Sequence, residues 1–331
     1  MQTEPAMLLS CTDVERLLSL RECIDAVETV FRAQGEGKLP SAHVLGIKTQ
    51  GGGLHVKAAI QTANRKYIVA KLNTNFPRNR ASFGLPTIQG VIVLFDGENG
   101  RALAILDSVD ITTKRTAAAT ALAAKYLARK DSSVATICGC GWQSYSQLRA
   151  LQLVLPLTKC YAFDVDRNAS ARFATQMSHE RKIDIEAIAD LPRAIRNSDV
   201  CVTCTTASMF FVCKEDVSPG TFIAAVGADD AHKQEIDPTL IASTKVVADD
   251  LEQICSIGDT HHAISRGLMA KGDVYAELSE IVAGRKPART NRDEIIVFDS
   301  TGVAIEDAAA AAIVYEKGLA ARIADHFEFA A

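Results

Sequence analysis

The residues Gly139, Cys140, Gly141, Trp142, Gln143 and Ser144 read GCGWQS, between a β-branched run, VATIC, and a stretch with helical spacing. Strand, glycine turn and helix together let a pyrophosphate lie against backbone N–H groups and the positive end of a helix dipole. In that reading Gly139 makes the tight turn, Gly141 admits the ligand to the backbone, and the small Ser144 lets helix pack on strand. The glycine pattern alone is weak, because any strand-to-helix turn favours small residues. A carboxylate strengthens it: Asp164 follows the apolar strand KCYAF, near the ~20-residue offset from which an acid takes the ribose hydroxyls of a dinucleotide. An acid there repels a 2′-phosphate and favours NAD(H). Arg167, close behind it, could neutralise that phosphate, so NADP(H) stays open.

Other reactive pairs carry less. Cys201 and Cys204 have CxxC spacing, but they lie inside DVCVTCTT, a strand-like run with no second pair, and read as buried strand residues rather than a zinc or redox site. The adjacent His261 and His262 lack a carboxylate-and-histidine spacing, which favours supporting or capping roles. No metal site is expected.

These groups need a scaffold. The chain has 331 residues, 48% hydrophobic and 23% charged, enough for two cores, and its net charge of -4 gives no electrostatic footprint for nucleic acid or an anionic membrane. No apolar run reaches the ~20 residues of a membrane span, and the start lacks a basic leader, so a cytoplasmic protein acting on a small molecule is expected. Nine cysteines, mostly in apolar runs, suit reduced buried thiols. Up to about Pro40 the pattern is helical. Short strands separated by Gly, Asn and Pro then run from Ala42 to Asp107 with hairpin-like spacing, and an alanine-rich helix follows. From Ser133 onward unbroken apolar strands alternate with helices, the rhythm of a parallel sheet covered on both faces. The last long helix could return to the first domain.

Six ordered segments together resemble the ornithine cyclodeaminase and mu-crystallin family, which includes archaeal-type alanine dehydrogenases and ketimine reductases: AKLNTNFPRN, GLPTIQGVIVLFD, ITTKRTAAATALAAKYLA, CGCGWQSYSQLRAL, AAVGADDAHKQEID and FDSTGVAIED. The resemblance implies an α/β fold. A Rossmann-type doubly wound sheet, residues 128–307, would bind the dinucleotide, and an α+β unit, residues 1–127 with 308–331, would bind substrate and join two subunits as a homodimer. It places Lys71 and Arg115 on a substrate carboxylate, a role that suits an ammonium plus a planar guanidinium fork. Asp229 would handle the proton at nitrogen, with Asp230 as its rival in register. Thr87, Ser300, Thr301 and Gly302 fall near nicotinamide or substrate, or serve as turn residues. Trp142, Gln143, Thr116 and Thr205 join Gly139, Gly141, Ser144, Asp164, Arg167 and Ser300 as the cofactor-facing set.

Two positions depart from the cyclodeaminase pattern. Ala42, with His43 beside it, stands where those enzymes carry an arginine, and His55 stands where a glutamate recognises the distal amine of ornithine; Lys57 follows two residues on. Losing that acid removes the partner of a δ-ammonium and suits neutral or acidic side chains, or a cyclic imine. Lys57 either replaces the missing arginine or snorkels from its strand. The expected activity is a nicotinamide-dependent oxidoreductase at the C–N bond of an amino or imino acid. Ornithine cyclodeamination and ligand binding without turnover are the rivals.

Overall fold

The computed structural model describes residues 5–40, 42–62, 65–323 and 325–329, and the chain divides into two compact units, Met1–Arg115 with Val303–Ala331, and Thr116–Gly302. The changeover falls inside the helix Val109–Leu127, whereas the sequence puts it at the end of that helix. Lys114 and Arg115 explain the earlier position. Lys114 Nζ donates to the carbonyls of Glu15 and Leu18, and Arg115 pairs with Glu306, all in the first unit. The far end answers to the second unit, where Arg289 donates to the Leu127 carbonyl.

The first unit is built on strands β1 (Ala6–Leu9), β2 (His43–Thr49), β3 (Gly52–Gln61), β4 (Tyr67–Asn75), β5 (Ile88–Asp96) and β6 (Ala102–Asp107). Strands β2 to β6 pair antiparallel in sequence order, as their spacing predicts. The alternation along β4 buries Tyr67, Val69 and Lys71 on one face. The helix Leu20–Gly35 buries Ile24, Val27, Val30 and Phe31, and starts at a capping box in which Ser19 and Glu22 satisfy each other's backbone N–H. The helix Ala304–Ala321 packs on β3, β4 and Leu20–Gly35.

One expectation fails at the N-terminus, which is not helical throughout. Ala6–Leu9 is a strand, parallel to β6 and antiparallel to Asp325–Phe327. A run of four apolar residues has no readable period, and both partners are far away in sequence.

The second unit holds strands β7 (Val134–Cys138), β8 (Lys159–Phe163), β9 (Asp184–Ala187), β10 (Val200–Thr203), β11 (Ser208–Val212), β12 (Phe222–Ala225), β13 (Gln234–Ile236), β14 (Lys245–Ala248), β15 (Ala276–Glu277) and β16 (Ile296–Asp299). Eight form one parallel sheet in the order β15-β14-β16-β12-β10-β7-β8-β9, while β11 and β13 pair separately. The inner strands β10, β12 and β16 are buried at every position, which is why they read as unbroken apolar runs. Chain order reverses between β7 and β10, and that switch point is where a doubly wound sheet opens its ligand crevice. Among the described residues no helix is long and apolar enough to cross a membrane.

Candidate functional site

In the first unit Lys71 occupies a core position of β4, and its register partner on β3 is Lys57. Two like charges face each other across a ladder, which is destabilising unless acids answer them. The acids come from Ala304–Ala321. Lys71 Nζ lies 2.6 Å from Asp307 Oδ2, Arg115 Nη1 2.8 Å from Glu306 Oε2, and Arg115 Nε 3.1 Å from Asp307 Oδ1. All four side chains are buried, Glu306 completely. Tyr67, further along the same face of β4, bonds Glu316 at 3.1 Å and fixes the other end of the same helix.

Burial, reinforced by Arg115, pushes the Lys71 ammonium down to about 7, with Lys57 adding to the push and Asp307 opposing it. Burial also works against the Asp307 carboxylate, yet Lys71 and Arg115 hold its pKa below the usual range. Two cations and two carboxylates therefore share one buried neighbourhood, with the half-buried Lys57 beside them. An ammonium and a guanidinium fork set this way can grip a carboxylate, and a lysine that titrates near neutrality can give or take a proton.

The resemblance marks Lys71 and Arg115, and the structure brings them together, with Lys57, which departs from the family pattern, opposite Lys71. His55 lies on the same strand face as Lys57, opposite Asn73 and Gly46. Thr87 lies in a turn where its carbonyl accepts the Phe76 N–H at 2.9 Å, a backbone duty. Ala42 is described; Ser41, beside it, lies outside the described residues. Sequence reasoning misses Glu306 and Asp307. Their signal is two adjacent acids opening a helix that carries no further charge until Glu316.

In the second unit Gly139 follows β7 at φ +91, a conformation that favours glycine, and a Cβ there would meet Thr205 Cγ2 at 2.8 Å. Gly141 caps the helix Trp142–Gln152 and has open space where a Cβ would point, with no side chain capping the first turn. That is a cradle for an anion against backbone N–H groups. Ser144 is buried and donates to the Gly141 carbonyl at 2.6 Å. Gln143 Oε1 is buried without a hydrogen-bond partner, and Trp142 is 73% exposed.

Asp164 leaves β8 with one oxygen accepting the Cys140 N–H at 2.7 Å and the other the Asp166 N–H at 2.8 Å. An ionised carboxylate offers about four acceptor positions, so these bonds aim it and leave capacity for hydroxyl groups. Arg167 is exposed at the start of the helix Arg167–Arg181. These features fit a dinucleotide: an open cradle at a helix start, an orphaned polar atom beside it and a ribose-ready acid.

Asp229 follows β12, half exposed, and pairs with Lys233 at 2.5 Å. Asp230 accepts the His232 N–H and acts as a turn residue. Ser300 and Thr301 are buried after β16, where Asp249 accepts the N–H groups of Thr301 and Gly302 and the Ser300 hydroxyl. Thr116 is buried in Val109–Leu127, and its carbonyl accepts the Thr120 hydroxyl. His262 Nε2 lies 2.8 Å from the Lys233 carbonyl, and His261 Nδ1 3.3 Å from that of Cys255. Cys201 is buried within β10 and Cys204 lies just past its end. Among the described residues no group of three or more His, Cys, Asp or Glu is arranged to hold a metal.

Known proteins supply an independent comparison. A sequence profile of the Ornithine cyclodeaminase/mu-crystallin family matches residues 4–322. An alanine dehydrogenase of Archaeoglobus fulgidus is 37% identical over 323 residues, 98% of each chain. A solved archaeal alanine dehydrogenase dimer with bound NAD superposes with a TM-score of 0.93 at 37% identity, covering 98% of this chain and 99% of that one. A Thermococcus litoralis Δ1-pyrroline-2-carboxylate reductase, solved with NADH and L-proline, gives 0.91 at 33% identity over 96% and 99%.

Two measurements follow from the geometry. Gly141→Val fills the cradle without meeting another residue, so the variant should unfold at the wild-type denaturant midpoint yet show at least a tenfold loss of dinucleotide affinity by calorimetry. Lys71 binds its proton at about 7 when folded, against 10.5 for an unperturbed lysine. Between those values the unfolded chain holds a proton that the native one lacks. Lys71 should therefore make stability rise with pH across that interval, on the order of a few kcal/mol, and Lys71→Met should remove the rise in urea titrations.

Proposed function

Because the chain belongs to the ornithine cyclodeaminase/mu-crystallin family, we propose that it is an NAD(H)-dependent oxidoreductase acting at the C–N bond of an α-amino or α-imino acid, by imine reduction or oxidative deamination. The observation that supports this reading is the buried meeting of Lys71 and Arg115 on Asp307 and Glu306, which sets an ammonium and a guanidinium fork side by side, the donors that a carboxylate ligand takes. Arg115, held by both acids, is a fixed cation that sets the direction of approach of that carboxylate. Lys71 provides the second contact, and its lowered pKa lets it exchange a proton at neutral pH.

Gly139, Gly141, Gln143 and Ser144 would hold the pyrophosphate of NAD(H), and Asp164 the ribose hydroxyls, where an acid discourages the extra phosphate of NADP(H). Thr116, Thr205 and Ser300 complete that set. The nicotinamide held there would supply hydride exchange at the substrate α-carbon. Asp229 takes or returns the proton at nitrogen.

Cyclodeamination of ornithine is the second reading, and His55 tells against it. Its register neighbours, Gly46 and Asn73, bring no acid to a distal ammonium. Free cysteines at all nine positions suit a reducing compartment, and the proposal places the enzyme in the cytoplasm.

We further propose a homodimer formed on the first sheet. Val44, Leu45 and Ile47 on β2 are 47%, 57% and 49% exposed, and Ile68, Ile88 and Val91 on β4 and β5 add to them. Apolar exposure along one sheet calls for cover, and a second copy provides it by symmetry.

Near-ultraviolet absorbance of the nicotinamide, followed with a panel of amino and cyclic imino acids, decides the reaction: a net dehydrogenase or reductase changes it steadily, and a cyclodeaminase does not. Arg115→Lys keeps the charge and loses the fork, so it should raise KM. Asp229→Asn should lower kcat by roughly 10²-fold or more if it moves the proton. A near-normal kcat in Asp229→Asn removes that residue from the mechanism. For the assembly, Leu45→Asp combined with Ile47→Asp should halve the mass seen by light scattering, and an unchanged mass refutes the interface.

A further inference from the structure

Glu235 is wholly buried in β13, and nothing in the proposed chemistry uses it. Its Oε1 accepts both the backbone N–H and the hydroxyl of Thr205, each at 2.7 Å, and its Oε2 accepts the Gly227 N–H at 2.8 Å. Thr205 follows β10 and Gly227 follows β12, neighbouring strands of the parallel sheet. One carboxylate thus ties together the exits of two strands at the carboxyl edge.

Each tied residue leads to a part of the site. The Thr205 side chain borders Gly139, the first glycine of the cradle. Gly227 roots the loop that carries Asp229: its carbonyl accepts the Asp229 N–H at 3.1 Å, and Lys233 closes the loop on the Asp229 carboxylate. The fit leaves no room for another residue type, because a Cβ on Gly227 would lie 2.5 Å from the Glu235 carboxylate. Glu235 is itself held from behind. Asp259 Oδ1 accepts the N–H groups of Glu235 and Ile236 at 2.8 and 2.9 Å, and Asp299 accepts those of Asp259 and Thr260 at 3.3 and 2.8 Å.

We propose that Glu235 is a positioning residue of the reaction, whose carboxylate locks the turn beside the cofactor cradle to the loop that carries Asp229. This rests on the functional reading above for what the two segments do, but not for the lock itself. Three donors converge on the side chain, so an acceptor-only group is required there. An amide would turn its own N–H against at least one of them. Burial raises the carboxyl pKa, and the bonds from Thr205 and Gly227 pull it back down.

Glu235→Gln and Gly227→Ala break the lock from opposite sides, and Thr205→Val removes one of its bonds. The first reading is amide hydrogen exchange in the cofactor-free protein. Exchange at Thr205 and Gly227 should accelerate about tenfold or more in Glu235→Gln and Gly227→Ala, and less in Thr205→Val, with helix Leu20–Gly35 unchanged as the internal control. The second is NADH affinity by fluorescence, which should fall about tenfold or more in the same order. Where Glu235→Gln does not fold, Gly227→Ala and Thr205→Val carry both readings.

Wild-type exchange at both amides, or a uniform loss of protection across the second unit with unchanged NADH affinity, overturns the proposal and leaves Glu235 a core residue. If the wild-type protein binds no NADH, the functional reading fails, and local exchange at the two amides still decides whether the lock exists.

Discussion

The interaction on which the first unit depends is the meeting of Lys71 and Arg115 with Asp307 and Glu306 out of reach of water. Any one of these charges buried alone would cost several kcal/mol. Their mutual presence makes the burial tolerable and sets the geometry: strand β4, helix Val109–Leu127 and helix Ala304–Ala321 must arrive at one point with fixed orientation. The folding constraint therefore fixes an ammonium and a guanidinium next to each other, whatever ligand they meet.

The second unit meets its polar burden differently. Parallel strands end with backbone groups that the sheet does not pair, and here buried acids answer several of them. Asp249, Asp259, Asp299 and Glu235 each accept backbone N–H groups near a strand end or helix start. Packing acids this closely has its own electrostatic consequence. Burial pushes Asp299 up to about 7, with Asp249 adding to the push against bonds from Thr260, while Asp259 is raised by burial and by Asp299. Precision at the crevice is thus obtained from groups that are costly to ionise.

What the sequence discloses follows from the range over which each signal acts. The parallel sheet is legible because doubly buried strands are apolar without interruption, and the glycine turn because Gly139, Gly141 and Ser144 follow such a strand directly. Lys71 and Arg115 are legible through resemblance. Glu306, Asp307 and Glu235 are not, since an acid shows that it is buried only through its partners, and these come from distant segments: Arg115 and Glu306 are 191 positions apart. Strand Ala6–Leu9 escapes for the same reason, as does the small β11 and β13 pair, whose register slips between its ends. Asp229 reads as a reacting group in the sequence, and the structure shows it half exposed with a lysine counterion, its loop rooted on an acid that the sequence does not single out.

The first unit is discontinuous, and that has a bearing on how the chain comes into being on the ribosome. Strand Ala6–Leu9 emerges early, but one of its two neighbours is Asp325–Phe327, and the acids that answer Lys71 and Arg115 sit at 306 and 307. The stretch Thr116–Gly302 is continuous, so it has all its own strands before the first unit has its acids. Until translation reaches the last helix, the early sheet holds cations without counterions and lacks its covering layer. The nascent chain therefore has its parallel-sheet unit complete before Lys71 and Arg115 can meet Asp307 and Glu306.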